Sequence, residues 1–110
     1  MTLPRHPDVR VLASTSIASG RVFEVLRESV ELPSGLRQDL LLVDHPGAVV
    51  ILAEDREGRV AVVRQYRHAI GRWLVELPAG HVERGEDGLL AAQREVEEEA
   101  GLRARNWTSL

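Results

Sequence analysis

The 110-residue chain has no cysteine, one methionine, one phenylalanine, one tyrosine and two tryptophans. Without cysteine there is no disulfide, no thiolate zinc site and no cysteine nucleophile. No apolar run approaches the roughly 20 residues of a membrane span. The N-terminal MTLPRHPDVR lacks the apolar stretch of a secretory leader, so a soluble, cytoplasmic protein is expected. Neither charge sign dominates: 14 basic residues stand against 17 acidic. A broad nucleic-acid footprint is therefore not expected, nor a membrane partner. The four histidines, His6, His45, His68 and His81, share no metal-ligand spacing. Ser14, Thr15 and Ser16 have no His/Asp constellation to activate a nucleophile.

What is present is an acidic run late in the chain. Glu95, Glu97, Glu98 and Glu99 follow directly on Arg94. On a helix, Glu95, Glu98 and Glu99 fall within an arc of roughly 100°, and Glu97 points elsewhere. Leu89, Ala92, Val96 and Ala100 share a neighbouring arc suited to packing on a core. Like charges at these spacings repel, and the helix C-terminus favours cations rather than anions. A hard divalent cation among the carboxylates satisfies the pattern. So does a solvated acidic face.

Taken in order, the chain predicts strands at Val9–Ser16, Arg21–Val30 and Leu36–Asp44, an antiparallel meander. Leu32-Pro33-Ser34-Gly35 is a turn with proline at its second position. Ala48–Ala53 is a continuous β-branched run, as expected of a strand buried on both faces. Arg59–Tyr66 pairs with it through a polar turn, and Trp73–Leu77 follows. Residues 78–85 read as a loop. A helix is expected from an Asp87 cap to Ala100, with Gly101 just beyond its end. Arg103–Leu110 has the composition to begin another strand. Trp73 and Trp107 are expected to be packing residues.

The stretch from Gly80 to Leu102 resembles the Nudix box. Gly80 opens it, Glu86 follows after five residues, and Arg94-Glu95-Val96 after seven more. Glu98-Glu99 and Gly101-Leu102 close it. Upstream, Arg64-Gln65-Tyr66-Arg67 and WLVELPAG (residues 73–80) resemble the ADP-ribose pyrophosphatase branch of that family.

The resemblance implies an α+β fold: a Nudix-like mixed sheet carrying the box loop and helix on one face, preceded by an N-terminal antiparallel meander. Residues 1–45 would form that β segment, with a dimerisation and substrate-side role, and 46–110 a partial hydrolase domain. The implied activity is Mg²⁺-dependent, or Mn²⁺-dependent, hydrolysis of a nucleoside diphosphate sugar such as ADP-ribose. The products would be a nucleoside monophosphate and a sugar phosphate. Glu95, Glu98 and Glu99, with the Ala79 carbonyl, would hold the metal. Glu98, Glu95 and Arg94 would form the catalytic group, Arg94 orienting a glutamate rather than touching substrate. Arg67, Glu76 and Glu83 would contact substrate, and Glu86 would tie the loop to the helix. A homodimer through the N-terminal strands is implied.

Family members of this branch continue well past the box, with further strands, a second helix and often a catalytic glutamate. Here eight residues follow Leu102. The expectation is a C-terminally truncated portion of a longer enzyme. The alternative is a non-catalytic nucleotide- and metal-binding Nudix fragment that lacks the base.

Overall fold

The structure, a computed structural model, describes residues 3–110. The chain divides into two compact units, meeting between Pro46 and Gly47.

The first unit is a three-stranded antiparallel sheet. Its strands are β1 (Arg10–Ser19), β2 (Glu24–Glu31) and β3 (Arg37–Asp44), in that order. Register breaks at Leu12 and Ile17 give β1 two irregularities of the β-bulge kind, which add twist to a strand. Gly35, at φ 85°, closes the β2–β3 connection by donating its N–H to the Leu32 carbonyl at 2.8 Å. The proline turn predicted there is what forms. In β2, Glu28 is fully buried. Arg5 Nη1 donates to its Oε2 at 2.8 Å, and the Ser14 hydroxyl to its Oε1 at 2.9 Å. A buried carboxylate needs such partners. The alternation of β2 in the sequence gives no sign of this inward charge.

The second unit carries β4 (Ala48–Val50), β5 (Val63–Arg67), β6 (Arg72–Glu76), β7 (Ala79–His81) and α1 (Gly88–Ala100). β4 pairs antiparallel with β7, and β5 with β6 around a single 3₁₀ turn at His68–Ile70. α1 packs on β4 and β7. Its core is Ile51, Ala92 and Val96, ringed by Val49, Ala53, Ala100 and Trp107. The class is α+β.

Several expectations change. The AVVILA run is regular strand only at Ala48–Val50. It alternates: Val50 and Leu52 are exposed while Ile51 is buried. Only one face meets the helix, so burial on both faces is not what the β-branched run signals here. β5 begins at Val63 rather than Arg59; before it, Val60 makes a lone bridge to Glu54. The expected loop at 78–85 contains β7, a strand too short and glycine-interrupted to show a period. Arg103–Leu110 forms no strand. Leu89 is exposed rather than packed, and so is Trp73.

The helix ends agree with the sequence. Asp87 holds the extended N-cap backbone, although its carboxylate bonds no helix N–H. Gly101, at φ 66°, donates its N–H to the Glu97 carbonyl at 3.0 Å and stops the helix. Glycine adopts that left-handed conformation at least cost.

Candidate active site

The site forms where α1 crosses β7. Gly80 lies in β7 without unusual backbone dihedrals, so its requirement is space. A side-chain methyl there would collide with the carboxylate carbon and oxygens of Glu95. The Glu95 carboxylate therefore rests against bare backbone. One residue earlier, the Ala79 N–H donates to Oε2 of Glu99 at 3.2 Å. Two carboxylates one helical turn apart are thus seated on a single dipeptide, Ala79-Gly80.

Arg94 holds this arrangement from behind. Its Nε and Nη2 form a fork on Glu86, at 3.1 and 3.0 Å. Nη2 also reaches the His81 carbonyl at 2.9 Å, and Nη1 reaches Glu95 Oε1 at 2.6 Å. The i,i+4 partner expected from spacing, Glu98, is the most distant of these, at 3.5 Å. The guanidinium makes five donor contacts, as many as it has N–H groups. Hydrogen bonding to Glu86, then to Glu95, raises its pKa further. Glu86 is held below its ordinary carboxylate value, first by Arg94 and next by the Glu83 N–H. That N–H lies 3.0 Å from Glu86 Oε1, while the Glu86 N–H returns to the Glu83 carbonyl at 2.9 Å. Gly85, at φ 77°, permits the tight turn between them. Loop, helix and β7 are joined through one side chain.

The acidic run therefore has a cation of its own. Glu95, with a side chain 11% exposed, and Glu98, 60% exposed, share Arg94. Glu97 pairs with Arg103 at 3.1 Å. Among the described residues, no three acidic or histidine side chains converge closely enough to cage a metal ion. The donors that face the Ala79-Gly80 dipeptide are nonetheless all hard oxygens, the set that suits Mg²⁺ or Mn²⁺.

The hairpin brings the other candidates close. Val63, Gln65, Arg67, Leu74 and Glu76 share one face of the β5–β6 ladder, by its register. Arg67 and Glu76 bond to each other along that face, Nε to Oε2 at 2.9 Å and Nη2 to Oε2 at 2.8 Å. Glu76 is lowered by that hydrogen bond, and Arg67 is raised, chiefly by Glu76 and at longer range by the charge of Glu99. Gln65 Nε2 donates to Glu99 Oε1 at 3.2 Å. No role for Gln65 is legible in the sequence beyond its alternation with Val63 and Arg67 on one strand face. The Glu83 side chain is mostly exposed, 4.0 Å from Arg94. On the opposite face Arg64 lies 4.5 Å above the Trp73 ring.

The chain is 42% identical over 101 residues to an ADP-ribose pyrophosphatase of Bacillus subtilis strain 168, covering 92% of this chain and 55% of that one. It is 41% identical over 104 residues to an ADP-ribose pyrophosphatase of Mycobacterium tuberculosis, covering 94% and 50%. It is also 41% identical over 92 residues to a methanol dehydrogenase activator of Bacillus methanolicus, covering 84% and 50%. The chain thus spans about half the length of these curated relatives. Its fold matches a crystal structure of an ADP compounds hydrolase with a TM-score of 0.72 at 23% identity, over 94% of this chain and 57% of that one. The family model of the NUDIX domain matches residues 44–110, which include every residue of the site just described, and the chain belongs to that family.

Proposed function

We propose that this chain carries the metal- and pyrophosphate-binding part of a hydrolase that cleaves ADP-ribose or a related nucleoside diphosphate sugar. The products are a nucleoside monophosphate and a sugar phosphate. The observation that carries the reading is the seating of Glu95 and Glu99 on the Ala79-Gly80 dipeptide. Two relatives named as ADP-ribose pyrophosphatases, at 41% and 42% identity, support the substrate class.

Glu95, Glu98, Glu99 and the Ala79 carbonyl would hold Mg²⁺ or Mn²⁺. Bound there, a hard divalent cation neutralises pyrophosphate charge and acidifies a water. Arg94 fixes Glu95 and keeps Glu98 near it. Arg67 offers a guanidinium to a substrate phosphate, the geometry that group suits best. Glu76 holds that guanidinium in line until substrate competes for it. Glu83, on the open side of the loop, contacts substrate. We assign residues 1–45 to a homodimer interface and the substrate side, and 46–110 to the partial hydrolase domain. Support comes from the first sheet. β1 is exposed along its whole length, including Val11, Leu12 and Ile17, and β3 exposes Leu40, Leu41 and Val43. We assign the cytoplasm as its place of work, as the activity proposed here needs a soluble nucleotide-sugar substrate.

The second reading is a non-catalytic nucleotide- and metal-binding Nudix fragment that lacks the catalytic base. Release of AMP from ADP-ribose with Mg²⁺ decides between them. The hydrolase reading expects release that Glu98→Gln or Glu99→Gln abolishes. Binding of ADP-ribose without release, in all conditions, supports the second. Dinucleoside polyphosphates, NADH and GDP-mannose in the same assay define the substrate.

A further inference from the structure

The glutamates of α1 are not held alike. Glu95 and Glu98 share the Arg94 guanidinium, and Glu97 pairs with Arg103. The donors on Glu99 are neutral: the Gln65 amide on Oε1 and the Ala79 N–H on Oε2, both at 3.2 Å. A cationic donor competes with a metal ion for the carboxylate charge. A neutral N–H orients the carboxylate and leaves that charge largely intact. Each carboxylate oxygen also keeps a second lone-pair direction for another partner.

Two donors from two different elements, one on each oxygen, fix the plane of the Glu99 carboxylate. Its last torsion is otherwise broad. Ala79 supplies one from β7, and Gln65 supplies the other from β5. The β5–β6 hairpin also carries Arg67 and Glu76, bonded to each other on the same face as Gln65. Glu99 is therefore the joint between the hairpin and the acidic helix.

We propose that Gln65 is a positioning residue that sets the Glu99 carboxylate for cation binding and couples it to the Arg67-bearing hairpin. The proposal rests on the metal reading above, and the test separates the two. Free Mn²⁺ is titrated against the full chain by electron paramagnetic resonance, with thermal unfolding measured alongside. Gln65→Met keeps the side-chain length and removes the N–H. Gln65→Asn keeps the amide but is one carbon too short to reach. Both are expected to weaken Mn²⁺ binding about tenfold, as removal of a residue that orients a metal ligand commonly does, with the unfolding midpoint nearly unchanged. In a Glu99→Gln background, Gln65→Met is expected to add no further loss.

Mn²⁺ binding unchanged in both Gln65 variants, while Glu99→Gln weakens it, overturns the role of Gln65 alone. A full further loss in the Glu99→Gln background shows that Gln65 does not act through Glu99, and overturns it too. An unaltered chain that binds no Mn²⁺ overturns the metal reading and this proposal together.

Discussion

At the scale of single residues, Gly80 and Glu86 matter for different reasons. A methyl at position 80 meets only the far end of the Glu95 side chain, and a flexible side chain can swing aside. Gly80→Ala is therefore expected to fold, with an unfolding midpoint close to that of the parent, yet to lose AMP release tenfold or more. A parallel fall in stability and activity would place the role of Gly80 in folding instead. Glu86 contributes through its charge. Its folded pKa lies below the ordinary carboxylate value, because Arg94 and the Glu83 N–H bond its anionic form. The unfolded chain therefore takes up the proton first as pH falls. The stabilisation is complete above the ordinary pKa of about 4.3 and is lost as pH drops through the folded value. Thermal midpoints of the parent and Glu86→Gln should differ by a constant amount from pH 7 to about 5, and converge as pH falls through the lowered folded value.

At the scale of elements, α1 is held by a narrow apolar contact. Val96, 1% exposed, is its most buried large side chain and meets Ile51. Val96→Ala is expected to cost about 2 kcal/mol, read from the urea midpoint. The effect should reach the site, because Glu95 and Glu99 flank Val96 on the same turn and lose their seat on Ala79-Gly80 when the helix shifts. The ends of this helix were legible in the sequence because caps are local: Asp87 and Gly101 act on their own backbone. β7 was not legible. Three residues of alanine, glycine and histidine carry no period, and only pairing with Ala48–Val50 makes them a strand. The AVVILA run misled for a related reason. A β-branched run states preference for extended backbone, not how many of its faces are covered.

At the scale of the whole molecule, exposed apolar residues on β1 and β3 are what a second copy would cover. Sedimentation should find a homodimer at micromolar concentration. Leu41→Glu should shift it to monomer while leaving the β5–β6 hairpin and α1 intact by circular dichroism. A parent chain that sediments as a monomer would remove the assigned role of residues 1–45.

The sequence by itself determined what depends on order and short range. It placed the Nudix spacing from Gly80 to Leu102, the long helix with its two ends, and the proline turn. Tertiary structure decided who meets whom. Helical spacing puts Glu98 at i+4 from Arg94, yet the fork of the guanidinium goes to Glu86, eight residues back, because the Gly85 turn folds the loop against the helix. Arg67 and Glu76, both assigned to substrate by the family resemblance, also bond each other along one face of the hairpin. Gln65 met Glu99 across 34 residues of chain. Such partnerships follow from strand register and from the crossing of helix over β7, and neither is written in the spacing of any one segment.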